Sequence, residues 1–161
     1  MYLIKRRGKK PPHTLCKTKQ QKKNLNRRLY TMSRSIEIPF KTFPEGWFVT
    51  WSVTSQCYFN GSIEIKSGGR VLQKIEKTDH DVDLQYLGHG NAIIPSQDMS
   101  VVVTVEEGDP SEPIFEQHHA SMIFNKKGDT VSITMTICVE DANDFDFNDF
   151  CISFTGWAKK G

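Results

Sequence analysis

From residue 130 to residue 139 apolar and polar side chains alternate without a break. Val131, Ile133, Met135, Ile137 and Val139 take every second position, with Ser132, Thr134 and Thr136 between them. Successive side chains of an extended chain point to opposite faces, so this run buries one face and wets the other. A helix would scatter the same residues around its circumference. The run is therefore a half-buried strand. The rest of the chain must supply a sheet to pair with it and a second layer to cover it.

The same period recurs along the chain. Ile36, Ile38 and Phe40 alternate ahead of a turn at Phe43-Pro44-Glu45-Gly46, and residues 47–53 are rich in aromatic and β-branched types. Residues 62–66 alternate again, and Gly68-Gly69 is a hairpin signal before Val71-Leu72. Val82, Leu84 and Tyr86 predict a short strand that ends at Gly88 and Gly90. Val101, Val103 and Val105 alternate within residues 99–107, and Gly108-Asp109-Pro110 breaks that run before residues 114–124 resume it. The last run, Phe150 to Trp157, turns Phe150, Ile152 and Phe154 inward. About nine short strands, with turn signals between them and no helical period, predict an all-β chain folded as an antiparallel β-sandwich. Strand order is not legible in the pattern.

Residues 140–149 read Glu-Asp-Ala-Asn-Asp-Phe-Asp-Phe-Asn-Asp and join the last two predicted strands. Five carboxylates (Glu140, Asp141, Asp144, Asp146, Asp149) and two amides (Asn143, Asn148) fall there with no Lys or Arg. Hard divalent cations take oxygen ligands, and Ca²⁺ takes about six to eight of them at roughly 2.3–2.6 Å. Asp144, Asp146 and Asn148 alternate, so one side of the loop can hold all three while Phe145 and Phe147 anchor it in the core from the other side. A rigid sandwich with a free ligand-bearing loop suits a metal site. The competing reading is a solvated acidic turn. An EF-hand is excluded: it requires Gly at its sixth position and Glu at its twelfth, and counting from Asp144 those places hold Asp149 and Thr155.

The net charge of +2 conceals a division. Residues 1–34 carry twelve Lys or Arg and no acid, whereas residues 35–161 carry nine basic residues against nineteen acids, a balance of −10. Residues 1–33 are few in large apolar types and lack periodicity, which predicts a basic disordered arm. An upstream extension is the other reading, with Met32 as the start of the ordered chain at residues 34–161. Such an arm suits nucleic acid or a membrane surface, a role that ranks behind that reading. Tyr2-Leu3-Ile4 fall short of the 7–15-residue apolar core of a secretory leader. The expectation is a cytoplasmic protein, or one exported by a non-classical route. No segment is long enough to span a membrane as a helix.

Four cysteines, at 16, 57, 138 and 151, form no C-x-x-C pair. Cys138 and Cys151 flank the acidic loop and could meet across strands as a clamp beneath it; with no leader, reduced thiols are expected. His118 and His119 are adjacent in a strand and point to opposite faces, while His80 and His89 have no partner at zinc spacing. No G-x-S-x-G, Walker A or H-E-x-x-H motif occurs. A glycosidase pair needs one carboxyl in an apolar setting, whereas this cluster reads as uniformly acidic and hydrophilic. The expectation is that the protein is not an enzyme.

The spacing E-D-x-x-D-x-D-(aromatic)-N-D of residues 140–149, followed by an alternating strand, Trp157 and a short tail ending in Gly161, resembles the calcium-mediated fucose/mannose-binding lectins of bacteria. Weaker likeness extends upstream through Ile38-Pro39, Val49-Thr50, and residues 100–124 with 129–139, so the resemblance covers roughly residues 36–161. It implies a nine-stranded antiparallel sandwich in which two adjacent Ca²⁺ ions per chain hold one monosaccharide, such as fucose or mannose, through its hydroxyls. Carried over, Glu140 and Asp144 ligate one ion, Asn148 ligates the other, and Asp146 and Asp149 bridge both. Asp141, Asp144 and Asp149 also accept hydrogen bonds from the sugar. Gly161 matches a C-terminal residue whose carboxylate reaches a calcium of the partner subunit, which implies a homodimer or higher homo-oligomer. The +4 of two ions balances the −4 of Glu140, Asp144, Asp146 and Asp149.

Three positions depart from that pattern. The family's Asn-Ser-Ser turn after its second strand is Thr54-Ser55-Gln56 here, which makes Thr54 and Ser55 the candidates for its metal-binding and sugar-selecting roles, with Asn60 further on. Ala142 stands where the family has Gly, and the tail after Trp157 is one residue longer. The rival function is a sandwich module with a purely structural calcium site, acting in a surface or toxin-like assembly.

Overall fold

A computed structural model of the protein describes residues 33–142 and 144–158. The basic arm, Met32 and Gly161 lie outside those residues. The described residues form nine strands and no helix: β1 (Arg34–Phe40), β2 (Phe48–Ser55), β3 (Gly61–Ser67), β4 (Arg70–Lys77), β5 (Gln85–Ile93), β6 (Met99–Val105), β7 (Phe115–Phe124), β8 (Thr130–Glu140) and β9 (Phe150–Trp157). Two antiparallel sheets result, one in the order β1-β6-β3-β4 and one in the order β5-β2-β9-β8-β7. This is the antiparallel β-sandwich that the alternation predicts.

The inward sets are largely those read from the sequence; at the start of β8 the expectation reverses, with Val131 exposed and Ser132 buried, its Oγ donating to the Gly156 carbonyl. Ile63, Ile65, Val101, Val103 and Val105 of the four-stranded sheet face Val49, Val53, Ile137, Val139, Phe150 and Ile152 of the other, all fully buried. Phe154 gathers the aromatic end of this core, its ring centroid 5.5 Å from Phe40, 6.1 Å from Phe43 and 6.5 Å from Trp51 in tilted geometries, which such rings prefer to face-on stacking. Strand β7, at the edge of its sheet, is exposed over most of its length.

One predicted boundary is displaced. Strand β5 does not end at Gly88 and Gly90 but runs through both to Ile93, and Val82 and Leu84 precede it as exposed residues. Gly90 is a site of close approach, where a side chain would collide with its neighbours, whereas a Cβ on Gly88 would only touch Ile75 at 3.5 Å. A Cβ on Gly90 would lie 2.1 Å from Gln73 Oε1 and 2.7 Å from Trp51 Nε1, and that indole N–H donates to that same oxygen at 2.6 Å.

The register defines the end of the sandwich that matters. Arg34, Gly61 and Lys77 align across the four-stranded sheet through Val105 and Gly61. In the other sheet Ser55 lies opposite Phe150, which lies opposite Val139. The β2–β3, β6–β7 and β8–β9 connections therefore emerge together, and the acidic loop is the last of them.

Candidate metal centre

Glu140 closes β8 and Asp149 immediately precedes β9, so the ladder pair Val139–Phe150 brings both ends of the loop side by side. Each end acid then braces the loop. Asp149 Oδ2 accepts the Asp141 N–H at 2.6 Å, and Glu140 accepts the N–H of Ala142 at 3.1 Å and of Phe147 at 3.0 Å. Phe145 and Phe147 have φ of 57° and 55°. Bulky residues rarely adopt this left-handed region, at a cost of roughly 1 kcal/mol or more each. The left-handed steps remove the simple alternation expected of the loop. Phe145 is consequently not a core anchor: it is 54% exposed and leans on Phe115, with ring centroids 5.1 Å apart. Phe147 is half-buried and likewise outside the core.

Two groups of ligand atoms result, each within 4.8 Å of one another: Glu140, Asp144 and Asp146 in one, Asp141, Asp149 and Cys57 in the other. Asn148 is tied to the first group through its Nδ2, which donates to Asp146 Oδ2 at 2.6 Å. Together Glu140, Asp141, Asp144, Asp146, Asn148 and Asp149 line one open cavity of about 360 Å³, with Gln56, Tyr58, Phe59 and Val82 as its other walls.

The β2–β3 connection fits onto this loop in a way the sequence did not disclose. Ser55 is fully buried, and its Oγ donates to the Asp149 carbonyl at 2.6 Å while accepting the Cys57 N–H. It supports the loop from behind and does not face the cavity. Thr54 pairs with Cys151 on the outer side of the sheet and does not line the cavity either. Asn60 turns its amide to Glu107. The residues that meet the loop are Gln56, whose N–H points at the carbonyls of Asn148 and Asp149, and Cys57, whose thiol donates to Asp141 Oδ2 at 2.8 Å. No spacing signal marks them, because the contacts join segments more than eighty residues apart. Arg34 was also missed as a support. It is 8% exposed, and its Nη1 donates to the carbonyls of Asp141 at 2.8 Å and Glu112 at 3.0 Å.

The loop is short of positive charge. Burial first, and the Asp144 carboxyl beside it second, push Glu140 up to about 7. Burial, reinforced by Asp141, pushes Asp149 up to about 6. Asp141, 4% exposed, is also raised by burial despite the Cys57 thiol and Arg34 nearby. Cys57 is raised well above the usual thiol range, again mainly by burial, so it offers a neutral S–H and no thiolate. Among the described residues, no Lys or Arg lines the cavity. Carboxylate oxygens gathered against their own repulsion, with no internal cation facing them, make the donor set of a hard oxygen-seeking cation.

The expectation of a uniformly hydrophilic cluster is corrected by Glu140, which is 1% exposed. This carboxyl has the raised affinity for protons that a general acid needs. Both of its oxygens, however, are engaged by backbone N–H groups inside the loop.

The fold is an antiparallel β-sandwich also found in solved structures of bacterial lectins. Three solved structures share it: a high-affinity mannose-binding lectin of Ralstonia solanacearum (TM-score 0.56, 16% identity, over 76% of this chain and 96% of that one), the lectin CV2L of Chromobacterium violaceum in complex with α-methyl-fucoside (0.54, 15%, 76% and 96%), and the C-terminal domain of the lectin BC2L-C from Burkholderia cenocepacia (0.55, 19%, 80% and 100%). At these identities the likeness is one of fold. No described protein family matches the sequence, and no curated protein matches it.

Proposed function

We propose that the protein is a calcium-dependent carbohydrate-binding protein that recognises a monosaccharide of the fucose or mannose type. The observation that carries this is the convergence of Glu140, Asp144, Asp146, Asn148 and Asp149 on one open cavity, on a fold shared with three bacterial lectins. Glu140, Asp144 and Asp146 would hold one Ca²⁺; Asp149 and Asn148, with Asp146 shared, would hold a second. Bound calcium supplies coordination for neighbouring sugar hydroxyls, which replace water on it. The chain's own residues do the rest. Glu140 and Asp149 fix the loop, Asp144 and Asp149 offer acceptors to the sugar, and Asp141 is held by the Cys57 thiol so that its free acceptor capacity is limited. Tyr58 and Val82, both exposed, form the apolar rim against which a sugar's C–H face can rest. The engagement of both Glu140 oxygens favours binding over catalysis.

Homodimerisation is part of this reading. Strand β9 carries the chain from Phe150 beside the loop to Trp157, seven residues or about 23 Å further on, so β9 ends away from the chain's own site. At that end Ile93, Phe48 and Trp157 are neighbours across three strands and all exposed, an apolar row suited to a second copy.

A structural calcium site is the second reading, and the placement of Thr54 outside the cavity favours it, since the second ion then lacks a ligand from the β2–β3 connection. Calorimetric titration of calcium, followed by methyl-mannoside and methyl-fucoside with and without chelator, decides. Two ions per chain with chelator-sensitive sugar heat is the expected result. One ion per chain with no sugar heat refutes the lectin reading and leaves a structural site.

A further inference from the structure

At the neck of the acidic loop, on the outer face of the five-stranded sheet, Gln117, Cys138, Cys151 and Thr54 stand opposite one another on β7, β8, β9 and β2. Cys138 and Cys151 are direct cross-strand partners. Their sulfurs are 3.8 Å apart, and both thiols are free and half-exposed. Opposed residues of an antiparallel pair have Cα atoms about 4.5–5.5 Å apart, inside the roughly 4.4–6.8 Å that a disulfide spans. Contracting the sulfur separation to about 2.05 Å is a matter of side-chain rotation, with the ladder intact. The flanking residues, Gln117 and Thr54, bring no competing thiol. Cys57, the remaining described cysteine, is fully buried and committed to Asp141.

We propose that Cys138 and Cys151 are a reversible disulfide site, oxidised by low-molecular-weight disulfides and reduced by the corresponding thiols. One cysteine, as its thiolate, attacks a sulfur of the small disulfide. That S–S bond breaks, a mixed disulfide forms, and the first small thiol leaves carrying the proton that the cysteine gave up. The second cysteine then attacks the protein sulfur of the mixed disulfide, forming the Cys138–Cys151 bond and releasing the second small thiol. Two protein thiols are oxidised, one small disulfide is reduced to two thiols, and no other electron acceptor is involved.

The bond would lie two residues before Glu140 and two after Asp149, tying together the strand ends from which the loop hangs. It constrains the unfolded chain over a sequence separation of 13, so the oxidised protein should melt several degrees higher than the reduced one. This inference is independent of what the cavity binds.

The test is incubation of the native full-length chain with oxidised glutathione, then alkylation, digestion and mass spectrometry beside thermal melts. The expected product is a Cys138–Cys151-linked peptide without residual glutathione, a melting temperature raised by several degrees, and reversal of both by reduced glutathione. Cys138→Ser and Cys151→Ser should each stop at the mixed disulfide. The double variant, with two hydroxyls of similar size, should fold and show no glutathione-dependent shift in melting. Persistence of both alkylatable thiols in the wild type would overturn the proposal. So would lasting glutathione adducts on both cysteines, or a melting shift surviving in the double variant.

Discussion

Raising the pH of the metal-free protein from 5 to 7.5 is expected to lower its melting temperature, the reverse of what pairing a carboxylate with a cation would do. Glu140 is held at about 7 against an ordinary value of 4.5. The unfolded chain therefore gives up this proton first as pH rises, and the folded state is increasingly left with a charge it disfavours. The stability contribution is fully present below pH 4.5 and is lost as pH climbs through 7. A displacement of roughly 2.5 pH units at 1.36 kcal/mol each amounts to about 3 kcal/mol. For a domain of this size that is on the order of 10 °C in melting temperature. Asp149, raised from 3.8 to about 6, acts in the same direction, although the two acids share one loop and their effects do not simply add. On the proposed reading calcium would bind the deprotonated forms, so saturating calcium should raise the melting temperature most at pH 7.5 and flatten the profile. Glu140→Gln isolates the cause. It keeps one acceptor for the loop amides, sacrifices about 1 kcal/mol of hydrogen bonding, and should melt higher than wild type without metal at pH 7.5 while losing the response to calcium. The measurement is a set of thermal melts in EDTA and in calcium across this pH range. A metal-free melting temperature that is flat or rises with pH refutes the reasoning.

Three other perturbations test the site's construction. Asp146→Asn should cost at least about tenfold in calcium affinity and more than Asp141→Asn, because Asp146 is exposed among the oxygens while Asp141 is buried and held by Cys57; calorimetry giving equal losses for both would count against the assigned roles. Arg34→Met removes the guanidinium joining the Asp141 and Glu112 carbonyls and should destabilise by about 1.5–3 kcal/mol in denaturant melts. A neutral outcome would mean that Arg34 does not hold the loop. Deleting residues 1–31 should leave calcium binding and melting temperature unchanged, since the β1 ladder begins at Arg34 opposite Val105; a loss of either on deletion would assign those residues to the domain.

Strand identity was legible because burial on one face imposes a period of two, and that signal survives in Ile36 to Phe40 as clearly as in Ile133 to Val139. It failed at Gly88 and Gly90, which the strand runs through; at Gly90 the missing side chain answers to Gln73 and Trp51 on other strands. The acidic loop was legible as chemistry but not as shape. Composition shows a run of oxygen ligands without a basic residue, whereas the left-handed steps at Phe145 and Phe147 sit in a loop braced by Glu140 and Asp149. Arg34 shows the limit most directly. By composition it is the last charge of a basic arm, and only the fold reveals it as a buried tie behind Asp141. Thr54 and Ser55 were candidates by alignment of motif, but alternation along β2 turns one outward and seals the other beneath Asp149.

The ties that complete the loop come from far away along the chain: Arg34 lies 107 residues from Asp141, Ser55 lies 94 from Asp149, and Cys57 lies 84 from Asp141. Contacts of such separation close after most local structure has formed. The cavity is thus assembled only once β1 and the β2–β3 connection have docked onto a β8–β9 hairpin that is already in place. Calcium added during refolding meets no finished site until the barrier has been crossed. On the proposed reading its stabilisation would fall on the escape from the native state, so a bound ion should slow unfolding while leaving the refolding rate where it was.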